Sequence, residues 1–510
     1  MDNTPDSHEI IVIGAGMAGL TAALHLAERG LAVTVLEADP LYPGGRLSGK
    51  AAVELNGWSF PGEHGVHGIW SGYVNLQAML VRHHIRPALV PAWEEDWFYR
   101  RGSRLRKAAI GSAIRRSPFP APFHYLSLFL HPGFLATIEG RDLLSLVSIW
   151  SGLLYPLGID PLGENQPMEG LTMHDMTGHW SPALRALFVG LARNGFAGQP
   201  EEIPLSGFVA FLRFYTVLRR DAWAFSYLPG DGGSKVIDPL VGRITELGGR
   251  LRLGARVNRL EQRPDGPGWR VLLESSEALE ARRVILATDA PAAQAILSAG
   301  PQTGALAANL FFPRGGATAV VRVWFDRRPR QTAEAGIFSG DFVFDNFFWL
   351  DRLYEPYLRW SKETGGSALE VHLYGPPAAL AEPDALLLAR ALSDVQAAFP
   401  ELRGHRLHQV LQRNPPAHTL FGLGPVERHL GIRTPWADLF CCGDWVRDEA
   451  PALFLERACI TGIEAANAVL QAEGQSPWPS LPYPPPEPLA AWIERWMLKG
   501  RKARRRKQKK

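Results

Sequence analysis

The sequence predicts an α/β protein: a parallel-sheet domain assembled from three separated stretches of chain, with an α+β domain inserted between them. Three observations carry this expectation. Residues 9–47 read as strand, glycine turn, helix and second strand. Residues 227–291 supply another glycine turn, a helix pattern and further apolar strands. Residues 439–470 end a short strand in Gly443-Asp444 and run on into a long helical pattern. Strands that alternate with helices pack as a parallel sheet covered on both faces.

In the first stretch, Ile10-Ile11-Val12-Ile13 is an uninterrupted apolar run suited to a strand buried on both faces. Gly14, Gly16 and Gly19 follow at the G-x-G-x-x-G spacing. The first glycine permits the tight turn, the second lets a pyrophosphate approach the backbone, and the third lets helix and strand pack closely. Residues 20–29 continue as a helix whose N-terminal amides favour an anion. Gly30 closes it, residues 31–36 form the next strand, and Glu37 falls where a carboxylate accepts the hydroxyls of an adenosine ribose. Strand, helix and acidic residue together specify a Rossmann-like dinucleotide site, which glycines alone would not.

Gly44-Gly45-Arg46 comes next. It resembles the G-G-R segment of flavoproteins of the amine oxidase and carotenoid desaturase superfamily, where that segment lies along the FAD pyrophosphate with the arginine near the phosphates. The resemblance implies FAD as the cofactor. It also implies that Ala287-Thr288-Asp289 forms a second nucleotide-side turn and that the Val257 backbone meets the adenine end. By the same resemblance Asp444, after Gly443, stands on the ribityl chain, with the following helix N-terminus toward the flavin. The FAD-binding domain is then discontinuous (residues 1–75, 225–297 and 433–473), and residues 77–224 and 298–432 form the α+β substrate domain. A chain of 510 residues supports two such cores.

Composition narrows the class. With 46% hydrophobic and 21% charged residues the chain is globular. The first nine residues are mostly polar, so no leader is expected. Cys441, Cys442 and Cys459 suit neither a disulfide framework nor a metal site, and fit core positions in a reducing cytoplasm. Residues 499–510 hold nine of the 54 basic residues, leaving 45 against 51 acidic in the rest. The body is therefore mildly acidic and the net charge of +3 comes from the tail.

Before the tail, residues 477–488 read as a proline-rich, semi-rigid linker. In the amphipathic segment that follows, Leu489, Trp492, Ile493, Trp496 and Met497 recur at helical spacing and form one apolar face. Two tryptophans beside a polybasic run (together residues 489–510) suit an anionic membrane surface, which would place the protein peripherally on the inner face of the membrane. Docking on its own body is the alternative. No nucleic-acid-binding motif accompanies the tail. A second lipid-facing candidate is the cluster Arg100, Arg101, Arg104, Arg106, Lys107, Arg115 and Arg116 ahead of the aromatic-rich residues 119–135. Residues 143–159 lack any charge but are short of a membrane span, and Pro156 disturbs a helix there. They suit a tunnel helix, a shallow interfacial element or a core helix.

Two local patterns bear on the reaction. Glu63-His64-Gly65-Val66-His67-Gly68 is followed by Tyr73-Val74-Asn75-Leu76, and Gly443-Asp444-Trp445-Val446-Arg447 by Leu455-Glu456-Arg457-Ala458. In order and over residues 10–470, this resembles the bacterial carotenoid desaturases that aromatise β-ionone rings, the isorenieratene (φ-ring) synthase type. The resemblance implies desaturation of a hydrophobic polyisoprenoid; the sequence leaves the electron acceptor open between oxygen, a quinone and another carrier. His64, His67 and Glu63 are the candidates for handling the proton or stabilising positive charge. Asp448-Glu449 departs from the apolar residues of that branch: either the pair faces solvent or the substrate is more polar. Two other functions fit the superfamily. One is amine oxidation, although no aromatic pair stands near residues 447–456. The other is a non-catalytic isoprenoid or lipid escort on the same fold, although such proteins lose the flavin site that this chain retains.

Overall fold

The computed structural model describes residues 7–508, so the first six residues of the expected FAD domain and the last two lysines of the tail lie outside the described residues. Strand β1 (Ser7–Ile13) lies at the centre of a seven-stranded sheet. Its apolar run pairs in parallel with Val33–Leu36 on one side and Ala278–Leu286 on the other. Arg250–Arg252 extends the first side in parallel. On the second side Ala278–Leu286 is long enough to take two partners: its start pairs antiparallel with Trp269–Leu273, and its end pairs in parallel with Leu439–Cys441. Val257–Gln262 closes that edge. The register sets Ile13 level with Leu36 and Leu286, and Leu286 level with Cys441. Gly14, Glu37, Ala287 and Cys442 therefore emerge together at the carboxyl edge of the sheet, where open α/β sheets bind their ligands.

Helix α1 (Met17–Ala27) is buried over its whole length and packs against α2 (Phe454–Ala472). Small residues make this possible: a Cβ on Gly462 would lie 2.5 Å from the Ala18 carbonyl oxygen. Cys441, Cys442 and Cys459 are buried and unpaired in this region, as the sequence suggested.

A second seven-stranded sheet is built from the inserted residues. Its order is Arg406–Thr419, β2 (Gly315–Phe325), β3 (Ser367–Leu373), Asn346–Trp349, Ala335–Gly340, Glu95–Arg101 and Arg104–Ala109, with one parallel pair, Ala335–Gly340 with Glu95–Arg101. Side chains alternate with a period of two. On β2, Ala319, Val321, Val323 and Phe325 pack with Leu387, Ala391 and Val395 of the helix Asp384–Ala398. Thr318, Val320 and Arg322 point the other way, into a cavity. The helices of residues 111–223 wall the cavity from the side.

The chain end departs from a tethered tail. Residues 477–488 are a strap fixed along the body rather than a free spacer. Trp478 donates its indole N–H to the His25 carbonyl at 3.0 Å and lies under both Arg29 and Arg82, at 4.2 and 4.5 Å. The Leu481 amide donates to Asn75 Oδ1 at 2.7 Å, and Glu487 accepts from the Arg220 amide at 2.8 Å. Helix α3 (Pro488–Gln508) then splits its apolar face. Leu489, Ile493 and Met497 are half-buried, Met497 reaches Gly158, and Glu494 pairs with Arg213. Trp492 and Trp496 face outward, 60% and 69% exposed. The uncharged stretch forms a short helix, Leu146–Leu154, with Ile149 and Leu153 inward and Leu143, Leu144 and Val147 outward. Among the described residues no helix is long and apolar enough to cross a membrane.

Candidate active site

One cavity of about 1140 Å³ begins at the carboxyl edge of the first sheet and passes beneath the second. Its first half is built by the glycines. Gly14 has φ +104°, and a Cβ there would stand 2.9 Å from the Ala287 carbonyl oxygen. A Cβ on Gly19 would fall 2.0 Å from the Gly14 carbonyl oxygen, so helix and turn touch only because Gly19 is bare. Gly16 differs: a Cβ there would meet nothing within 4 Å and would project into open space at the start of α1. The Gly44 amide donates to the Ala15 carbonyl at 2.8 Å, which draws Gly44-Gly45-Arg46 beside Gly16. Glu37 sits at the lip, its two carboxylate oxygens each accepting an amide hydrogen, from Ala15 and Asp39, at 2.9 Å. That leaves lone pairs for ribose hydroxyls. The Ala255 amide donates to the Glu37 carbonyl at 2.8 Å and places Val257 at the same end of the cavity.

At the inner end, Arg46 and Asp444 form an ion pair of 2.5 Å although 398 residues separate them. Asp444 also accepts the Thr419 hydroxyl at 2.8 Å. An open glycine cradle at a helix N-terminus, a ribose-side carboxylate and an ion pair of half-buried Arg46 with buried Asp444 facing the cavity fit the phosphates, adenosine and ribityl chain of FAD. When bound, FAD supplies the acceptor for two electrons and a hydrogen.

Of the three candidates for proton chemistry, His64 and His67 line the wall, with ring centroids 6.4 Å apart. Burial pushes the His64 imidazole well below its ordinary value, and His67 down to about 4. Both rings are neutral near pH 7. Glu63 does not reach the cavity. It is buried behind the wall, where it accepts the Gly232 amide at 3.3 Å and the Tyr354 hydroxyl, and approaches His67 Nδ1 at 3.7 Å. Burial, then the charge of Glu370, raises its carboxyl well above the usual range.

The structure adds residues that the sequence reading did not single out. Glu370 accepts the Arg322 guanidinium at 2.7 Å, the Val66 amide at 2.9 Å and the His372 ring at 2.6 Å. Burial works to raise its carboxyl, but the Arg322 charge and the His372 bond overcome it and hold the group down at about 2. Two neighbouring carboxyls are thus driven apart, Glu370 toward the ionised form and Glu63 toward the protonated one. Glu370 and His372 alternate with apolar residues in the fully buried β3, Tyr374 follows just past its end, and that polar period of two was the signal available in the sequence.

Beyond this polar wall the cavity turns apolar, between Leu191, Phe211, Trp223, Phe225, Ile337 and Phe454. Phe454 opens α2 at φ +57°, a left-handed conformation unusual for an aromatic residue, and packs with Phe196, Phe211 and Tyr215. Asp448 and Glu449 lie outside the cavity lining, Glu449 exposed and Asp448 half-buried, so the acidic departure noted in the sequence does not shape the tunnel.

Residues 17–470 match the family model of flavin containing amine oxidoreductases. A carotenoid phi-ring synthase of Streptomyces griseus is 27% identical over 496 residues, covering 93% of this chain and 90% of that protein. A carotenoid phi-ring synthase of Chlorobaculum tepidum is 23% identical over 609 residues, covering 92% and 90%. Among solved structures, cyclohexylamine oxidase from Brevibacterium oxydans superposes with a TM-score of 0.64 at 16% identity, over 92% of this chain and 100% of that one, and shares the fold. The chain belongs to the flavin containing amine oxidoreductases, and is an FAD-dependent oxidoreductase.

Proposed function

We propose that this enzyme desaturates a carotenoid or a related polyisoprenoid, aromatising its ring, at the surface of a membrane on the cytoplasmic side. The observation that carries the reading is the apolar half of the cavity, which continues from the flavin cradle between aromatic and aliphatic walls, where the lining Glu95 carboxylate is tied to Arg115 at 2.8 Å. Such walls orient a hydrocarbon and exclude water, which strengthens every electrostatic interaction inside. Neutral His64 and His67 offer polar edges to the reacting end without stranding a charge there. The similarity to phi-ring synthases supports the same substrate class.

Anaerobic mixing tests it. Lycopene, γ-carotene or β-carotene delivered in liposomes should bleach the bound flavin within one turnover, and the product of β-carotene should carry an aromatic ring. Bleaching by simple amines alone would select amine oxidation instead. Bleaching without ring aromatisation would keep the desaturase and remove the finer step.

Two surface features support membrane contact. Trp492 and Trp496 stand outward on α3 ahead of the basic tail, and Leu130, Leu135, Leu143, Leu144 and Val147 are exposed on the helical insert. The strap holds the body together, so truncation before it would confuse stability with binding. Replacing both tryptophans by serine avoids this. That variant should keep its flavin and lose roughly tenfold or more in affinity for anionic liposomes, measured by co-sedimentation. Unchanged binding would transfer the contact to the helical insert.

A further inference from the structure

The buried strand β3 carries a polar row that neither the cofactor site nor the apolar tunnel uses. Glu370 and His372 share one face of β3, and Tyr374 continues it two residues on. His372 and Tyr374 both line the cavity. The bonding directions are fixed by chemistry. Glu370, ionised against Arg322, can only accept, so His372 donates Nε2–H to it at 2.6 Å. His372 Nδ1 is then an acceptor, and the Tyr374 hydroxyl donates to it at 2.8 Å. Asn346 donates to the Tyr374 oxygen at 2.9 Å and holds it in place. The Phe348 ring stands 5.2 Å from the imidazole, and Gly65 leaves room for it: a Cβ there would lie 3.0 Å from His372 Cε1. The row is a directed chain, Tyr374 to His372 to Glu370, with its hydroxyl end at the cavity.

We propose that Tyr374 and His372 remove the proton in the desaturation, with Glu370 and Arg322 as positioning residues. This rests on the desaturase reading. Forming the new double bond breaks two C–H bonds. One hydrogen leaves with its electron pair to the flavin, the oxidant. The other leaves as a proton to the Tyr374 oxygen while the Tyr374 proton passes to His372 Nδ1, and the electrons of that C–H bond become the π bond. Tyr374 ends neutral, His372 ends as an imidazolium, and the Glu370 carboxylate balances its charge. The desolvated rings of His64 and His67 belong to no comparable chain: among the described residues neither His64 Nε2 nor His67 Nδ1 has a hydrogen-bond partner. Other charged groups facing His372 are Asp345, paired with Arg193 at 2.7 Å, and Arg322 behind Glu370.

The test uses FAD-loaded enzyme and two independent readouts. Nitrogen-15 histidine NMR without substrate should show His372 as the Nε2–H tautomer, assigned by its loss in His372→Gln, with Nδ1 shifting in Tyr374→Phe as its donor disappears. In anaerobic stopped flow with a carotenoid, Tyr374→Phe and His372→Gln should retain flavin content and carotenoid binding, yet reduce the flavin roughly 10²–10⁴-fold more slowly. Glu370→Gln should slow reduction and shift the His372 Nε2 resonance as its acceptor changes, which a purely structural role would not do. Tyr374→Phe removes one hydroxyl only and stands as the folded variant if His372→Gln loses its flavin. An Nδ1–H tautomer, or reduction by Tyr374→Phe at the wild-type rate, overturns the proposal. If no carotenoid reduces even the wild type, the desaturase reading fails, and with it the role in desaturation, whereas a correct tautomer beside unslowed variants overturns the relay alone.

Discussion

Gly16→Val is expected to yield a folded, colourless protein. A Cβ at Gly16 meets no protein atom within 4 Å, so the substitution leaves the packing of α1 alone. The added isopropyl group fills the space at the helix N-terminus where phosphate oxygens must approach the amides. Losing one or two charge-assisted hydrogen bonds costs about 3 kcal/mol or more, which is at least ~100-fold in Kd. Flavin absorbance after desalting and far-UV circular dichroism separate the two effects: the first should vanish and the second should not change. Gly19→Val is the contrast, because its Cβ would overlap the Gly14 carbonyl oxygen at 2.0 Å and must displace the turn itself. Adding Glu37→Ala to Gly16→Val should deepen the loss. A yellow Gly16→Val protein that reconstitutes like the wild type would mean that the cradle does not hold the cofactor.

Arg322→Met should cost about 3–5 kcal/mol of stability, because it leaves a buried carboxylate without its cation. Arg322 and Glu370 are 3% and 0% exposed, and the guanidinium also donates to the Glu63 carbonyl at 2.8 Å. Urea titration should show a lower midpoint with the same slope. Adding Glu370→Gln should restore much of the loss, since the unpaired charge is removed with its partner. The effect depends on pH in a definite sense. Glu370 is held at about 2, below the ordinary glutamate value of ~4.3, so its contribution is complete above ~4.3 and disappears as pH falls through about 2. The gap between Arg322→Met and the wild type should therefore narrow over that acid window. A loss under ~1 kcal/mol would show that the network contributes little.

Much of the cofactor half was legible because its signals are local. A strand, a glycine turn and a helix occupy consecutive residues, and each glycine answers to a contact within that unit or to the neighbouring strand end. His64 and His67 were legible for a similar reason, standing just after the hairpin Gly49–Leu55 and Trp58–Glu63, which returns the chain to the cavity. Glu63 shares their segment but not their surroundings. Its direction depends on Tyr354, Gly232 and Arg322, all distant in sequence, and they turn it behind the wall.

The amino-acid sequence by itself determined the parallel nucleotide sheet, the glycine cradle with Glu37 at its lip, the buried cysteines and an amphipathic chain end, because periodicity, glycine placement and apolar runs act over a few residues. Only the tertiary structure decided the rest. It brought Arg46 to Asp444, set Glu370 between Arg322 and His372, fastened the proline-rich stretch under Arg29 and Arg82, and turned Trp492 and Trp496 outward while Met497 docked. Each of these is a pairing between residues far apart in the chain, and a buried charge takes its protonation state from whichever partner the fold delivers. The sequence supplies the groups; strand register and helix packing choose their neighbours.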